Sequence, residues 1–161
     1  MKFHFLSSNN PEAKNTEKKL TELFGQNSVE DADYIIPIGG DGLLLKSLHN
    51  FNKLNKPFFG INFGSIGFLM NNLSNENLND MIANAKKSTF KPLKMTAQSV
   101  NNEIFEAYAY NEVSLMRQTH LASKIKIKIN EKVKMEELIC DGVLLSTSAG
   151  STAYNLSLIH I

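Results

Sequence analysis

The sequence predicts two halves of different architecture, an α/β half over residues 1–92 and a β-rich half over residues 93–161. Two observations carry this. Between Asp33 and His49 the hydrophobic period changes from that of a strand to that of a helix across Gly39-Gly40-Asp41-Gly42, as in a strand–turn–helix unit. From Leu93 onward helical spacing gives way to alternation, most clearly over Ser123 to Asn130, where Lys and Ile take turns. A domain boundary is expected near Lys91-Pro92.

Lys2 to Leu6 is the expected first strand. Ser7-Ser8-Asn9-Asn10-Pro11 follows, with Asn10 placed to cap a helix that has Pro11 in its first turn. Leu20, Leu23 and Phe24 give that helix an apolar face, the Lys and Glu residues from Glu12 to Glu22 a solvated one, and Gly25 its end. Tyr34, Ile35, Ile36 and Ile38 form a β-branched run suited to a strand buried on both faces of a parallel sheet, and Leu44, Leu45 and Leu48 then recur at helical spacing. Lys56 to Ile61 is a further short strand. It leads into a second glycine-bearing turn, Asn62-Phe63-Gly64-Ser65-Ile66-Gly67-Phe68-Leu69. Leu78, Met81, Ile82 and Ala85 fall at i, i+3, i+4 and i+7, which is an amphipathic helix. In the β-rich half Asn101-Asn102 is an expected hairpin turn. Lys124, Lys126 and Lys128 are the wet face of a half-buried strand whose other face is Ile125, Ile127 and Ile129, rather than a basic patch.

Bulk properties narrow the function. Seventeen basic against sixteen acidic residues leave a net charge of +1, so no electrostatic footprint argues for nucleic acid or an anionic membrane surface. Residues 57–75 are uncharged over nineteen positions, but Asn62, Gly64, Ser65, Gly67 and Asn71 break their apolar character, and no membrane span is expected. The single cysteine, Cys140, cannot form an internal disulfide, and Met1-Lys2-Phe3-His4-Phe5 lacks the apolar core of a signal peptide. A cytoplasmic location is expected. His4, His49, His120 and His160 have no metal-site spacing, and Ser146, Ser148 and Ser151 lack the nucleophile-elbow pattern.

The chemistry concentrates in the first glycine turn. Its glycines can take positive φ, its amides can approach an anion closely, and the following helix N-terminus adds about half a positive charge. A phosphate is the expected guest, with Gly39 and Gly40 as the phosphate loop. Asp41 would repel it unless a metal ion or a substrate hydroxyl lies between them, so the loop suggests phosphoryl transfer. Asp41 as a plain helix cap stands equally open. The P-loop and dinucleotide patterns both fail, because Leu45 occupies a required glycine in each.

These segments, together with Asn111-Glu112, Asp141-Gly142 and Gly150-Ser151-Thr152-Ala153-Tyr154-Asn155-Leu156-Ser157, resemble the NAD kinase family in type and order. Gly-Gly-Asp-Gly is shared with lipid kinases of the diacylglycerol type; Asn-Glu with Gly-Ser-Thr-Ala-Tyr is far more specific. The resemblance implies an α/β N-terminal domain with a Gly-Gly-Asp-Gly strand-to-helix turn, followed by the start of a β-sandwich C-terminal domain. It implies transfer of a phosphoryl group from ATP, or polyphosphate in some members, to the 2′-hydroxyl of the adenosine ribose of NAD, with a divalent metal such as Mg²⁺ or Mn²⁺. Homo-oligomers are expected of the family.

Carried over by position, Asp41 matches the proton acceptor and Gly42 lies beside it at the dinucleotide. Asn111 and Glu112 match the substrate-holding pair, and Asp141 matches a second binding aspartate. Thr152, Ala153, Tyr154, Asn155, Leu156 and Ser157 match the loop around the adenine and nicotinamide ends. The sequence departs from the family where Leu43 follows the glycine turn, at Ile66, at Ser148-Ala149, and at Leu158-Ile159-His160-Ile161 in place of Ala-Gly-Gly-Pro. The last departure suggests a truncated sandwich domain. A catalytically inactive chain that binds nucleotide, and a lipid kinase, are the alternative expectations.

Overall fold

In the computed structural model, which describes residues 1–64, 67–74 and 77–152, the unit Met1–Thr89 is a mixed α/β layer structure around one parallel sheet. Strands β1 (Phe3–Ser7), β2 (Tyr34–Gly39) and β3 (Ile61–Asn62) lie in the order β1-β2-β3, with Phe5 beside Ile36 and Ile38 beside Ile61. Helices α1 (Pro11–Phe24), α2 (Asp41–Asn50) and α3 (Leu78–Asn84) connect and follow them.

Side-chain parity along β2 decides which helix covers which face. Ile36 and Ile38 join Phe3, Phe5 and Ile61 in one buried cluster with Ala13 and Leu20 of α1 and Leu78 and Ile82 of α3. Gly39, of opposite parity, faces Leu43 of α2. A strand covered on both sides needs apolar residues at every position, which is why the Tyr34 to Ile38 run does not alternate.

Proline in such a strand has a cost in pairing. Pro37 is fully buried in β2 but has no N–H to donate. Ile35 still donates to the Pro57 carbonyl and accepts from the Phe59 N–H, both at 3.0 Å, and pairing resumes only at Ile38 with Ile61. The ladder skips a rung. The strand expected over Lys56 to Ile61 is therefore an isolated bridge at Phe58 followed by the two-residue β3.

Asn10 caps α1 as its sequence position suggests, accepting the Glu12 N–H at 2.8 Å, and Gly25 ends the helix with φ +76°. The same side chain donates through Nδ2 to the Phe63 carbonyl at 3.2 Å, tying α1 to the second glycine turn. Asn10→Ala is expected to cost about 1 kcal/mol in urea unfolding for the cap alone. Asn10→Asp keeps the cap but loses the tie, so a stability equal to wild type would show that the Phe63 contact contributes nothing.

The unit Phe90–Ile161 is built among its described residues from three antiparallel pairs. Strands β4 (Leu93–Gln98) and β5 (Ile104–Ala109) form a hairpin with Asn102 at φ +65° in its turn. Strand β6 (Glu112–Met116) pairs with β9 (Gly142–Ser146), enclosing the hairpin of β7 (Ser123–Ile129) and β8 (Lys132–Cys140). Asn130 and Glu131 both have positive φ, the two-residue turn whose twist suits a hairpin. Lys124 and Lys126 meet Glu137 and Glu136 of β8 at 3.2 and 2.7 Å, so two of the three alternating lysines are paired on the exposed face, while Ile129, expected with Ile125 and Ile127 on the drier face, is itself exposed near the hairpin turn.

Candidate functional site

Within the first unit the glycine turn closes directly onto α2. Gly40 is the N-cap with φ −111°, and no side chain caps the helix. Among the described residues only Gly25 is a glycine at positive φ, so the glycines of this turn do not use the left-handed backbone open to them, and only at Gly39 is a side chain short of room. A Cβ at Gly39 would press on Leu43 Cδ2 at 3.0 Å and Ser8 Cβ at 3.1 Å, whereas one at Gly42 would meet nothing within 4 Å. Ser47 spends its hydroxyl on the Leu43 carbonyl at 2.7 Å, which removes it from any P-loop role.

Asp41 is the first residue of α2 and not its cap. Its carboxylate reaches the second glycine turn, where Oδ2 accepts the Phe68 N–H at 2.9 Å and Oδ1 accepts the Leu69 N–H at 3.2 Å. Gly67 makes this seat possible. A Cβ there would stand 3.2 Å from both Asp41 Oδ1 and Asn62 Oδ1. Asn62 in turn accepts the Gly64 N–H at 2.9 Å, and the Phe63 N–H donates to the Gly39 carbonyl at 2.6 Å. The two turns are thus laced together, with the carboxylate as the knot and the Phe68 side chain exposed beside it. Ser65 and Ile66 lie outside the described residues.

The second unit brings Asn111 and Glu112 together with the turn that precedes Thr152. The Thr147 N–H donates to the Asn111 carbonyl at 2.7 Å, its hydroxyl donates to the Tyr110 carbonyl at 2.7 Å, and the same oxygen accepts the Gly150 N–H at 2.9 Å. Glu112 opens β6 opposite Ser146. Its Oε2 is buried with no hydrogen-bond partner among the described residues, a costly state for a carboxylate that faces no donor. Partial burial raises the pKa of the neighbouring Tyr110 phenol.

Asp141 lies elsewhere. It precedes Gly142 at the far end of the β6–β9 ladder, where Met116 pairs with Gly142, so roughly 16 Å of strand separates it from Glu112. Its exposed carboxylate holds Arg117 Nε at 2.5 Å. Thr152 belongs to a 3-10 turn, Gly150–Thr152, and Ala153, Tyr154, Asn155, Leu156 and Ser157 lie outside the described residues.

Comparison with known proteins decides the family. Residues 1–88, more than half of the chain, match the model of the ATP-NAD kinase N-terminal domain. The chain belongs to the NAD kinase family. Relatives named NAD kinase include that of Brucella suis, 48% identical over 96% of this chain and 60% of its own length. That of Rickettsia bellii is 43% identical over 97% and 61% respectively. The chain therefore spans about 60% of the length of the curated relatives it matches. A yeast NADH kinase solved in complex with NADH shares the fold, with a TM-score of 0.68 at 20% identity, covering 98% of this chain and 60% of that one.

Against this NAD kinase background, the contacts that sequence reading missed are those made by Phe68 and Leu69 to Asp41 past the open side of Gly67, by Thr147, and by Arg117. Thr147 alone carried a signal. A threonine three residues before a glycine can accept that glycine's N–H in a hydroxyl-capped turn, as Thr147 does from Gly150.

Proposed function

We propose that this chain carries the phosphoryl-transfer chemistry of an NAD kinase, with NAD as acceptor and ATP or polyphosphate as donor. The observation that carries the reading is the placement of Asp41, whose carboxylate is held by two amides at the end of a parallel strand rather than spent on capping α2. Each oxygen keeps a lone pair free for a hydroxyl. The ribose 2′-oxygen attacks the terminal phosphorus, a new O–P bond forms, the bridging P–O bond breaks, and ADP, or polyphosphate shortened by one phosphate, leaves with its electron pair. Asp41 takes the hydroxyl proton. Gly39, Gly40 and the N-terminus of α2 accommodate donor phosphate, while Gly42 lets the dinucleotide approach.

Among the described residues no three His, Cys, Asp or Glu side chains cluster to hold a metal. Asp41 and donor phosphates together fit Mg²⁺ or Mn²⁺, which commonly keeps only one or two carboxylates. Such an ion neutralises charge on the transferring group when bound. Asn111, Glu112 and Thr152 to Ser157 bind the acceptor in this reading, and Asp141 is a second binding aspartate. The β-rich half is the start of a β-sandwich. A homo-oligomer in the cytoplasm completes the proposal, and no described helix is long and apolar enough to cross a membrane.

With either donor and Mg²⁺ or Mn²⁺, NAD rather than diacylglycerol is the expected phosphoryl acceptor of any active form of this protein, and the chain itself is expected to bind NAD. Absence of NAD binding would overturn the reading. Glu112→Ala is expected to weaken NAD binding by roughly 1–3 kcal/mol in calorimetry. Because Oε2 lacks a partner among the described residues, the same change should leave the melting temperature unchanged or raise it. A large loss of stability with unchanged affinity would make Glu112 structural.

A further inference from the structure

We infer that Thr147 is a positioning residue that holds Asn111 and Glu112 in register with the Gly150–Thr152 turn, so that both sides of the acceptor site form as one rigid corner. This rests on the reading of that corner as an NAD site. The chain reaches the corner from two directions: Tyr110 and Asn111 lead into β6, and Thr147 leaves β9. Strand pairing ends at Glu112 with Ser146, so beyond that pair the ladder no longer determines where the two segments go.

Thr147 takes over there. Its N–H donates to the Asn111 carbonyl, its hydroxyl donates to the Tyr110 carbonyl and accepts from the Gly150 N–H, and its carbonyl accepts the Ser151 N–H at 3.1 Å. A hydroxyl suits this place because it can donate and accept at once from a short stem. The independent sign of a tight corner is Gly150. A Cβ there would fall within 2.7 Å of the Asn111 Cα and closer still to its carbonyl, so the two backbones touch with no side chain between them.

The hydroxyl is the testable atom. Thr147→Val keeps the branched shape and removes both hydroxyl bonds, and Thr147→Ser keeps the bonds and removes a methyl. By amide exchange of the free chain, Thr147→Val should speed Gly150 N–H exchange by about tenfold or more, leave the β7–β8 amides unchanged, and be reversed in Thr147→Ser. By calorimetry, NAD affinity should fall about ten- to a hundredfold in Thr147→Val and stay within about threefold in Thr147→Ser. Unchanged Gly150 exchange in the valine variant overturns the inference, as does wild-type NAD affinity in a variant whose Gly150 amide has been released. Wild-type chain that binds no NAD refutes the functional reading instead, while the exchange comparison still decides whether the hydroxyl holds the corner. If Thr147→Val does not fold, Thr147→Ala against Thr147→Ser gives the same contrast.

Discussion

Asp41→Asn should lower the rate of NADP formation by at least about a hundredfold while NAD affinity stays within about tenfold, because the change removes an interaction needed only as the ribose proton is released. The amide side chain matches the carboxylate in shape but cannot take a proton. It also carries a donor, which must face one of the two amides that now donate to Asp41, and the longer bond, to Leu69 at 3.2 Å, is the one expected to give way. The Phe68 bond at 2.9 Å should persist. Two measurements separate the roles: single-turnover NADP formation reports the proton transfer, and amide exchange at Phe68 and Leu69 reports the clasp. Turnover near wild type with a released Leu69 amide would reduce Asp41 to a strap between the glycine turns.

Gly150→Ala should be as damaging in the second unit. The new methyl meets backbone, not the end of a flexible side chain, since its nearest neighbours are the carbonyl and Cα of Asn111. Relief requires the two segments to part by about 1 Å, a displacement that can cost on the order of a hundredfold in rate when it separates groups acting on one substrate. Asn111 would move with the strain, and Glu112 follows it in sequence. NAD affinity by calorimetry should fall at least about tenfold, with the β4–β5 hairpin amides unaffected. Affinity equal to wild type would show that the corner yields without consequence.

Local grammar was legible where a residue acts within a few positions of itself. Asn10 before Pro11 marks a capped helix, Leu78, Met81 and Ile82 mark another, and the Lys–Ile alternation marks a strand with one drier face; each is an element of the structure. The interruption at Pro37 was open to the same grammar, since proline lacks an N–H wherever it falls, but which neighbouring segment loses a rung there is fixed only by the fold. Contacts at a distance were not legible. Nothing local to Asp41 announces amides at Phe68 and Leu69, nor does Asp141 announce Arg117, because these meetings depend on chain paths set by sheet order. The positive φ open to Gly39, Gly40 and Gly42 goes unused for a related reason. Glycine permits two things, unusual backbone and close approach, and only the packed neighbours Leu43 and Ser8 reveal that at Gly39 it is the second.

The nesting of the β7–β8 hairpin inside the β6–β9 pair has a consequence for the order in which the corner assembles. Hairpins close quickly, whereas strands far apart in sequence must first overcome the entropy of a long loop. Once Ser123 and Cys140 are paired, the loop left between Met116 and Gly142 is about threefold shorter, which eases its closure by about 1 kcal/mol. The hairpin is thus expected to act as a splint, with β6 and β9 zipping outward from Met116 and Gly142 towards Glu112 and Ser146. Thr147, Gly150 and Asn111 lie beyond the last rung and fall into place at the end of that sequence. A slow step in the hairpin's formation would delay the maturation of a corner that it does not touch.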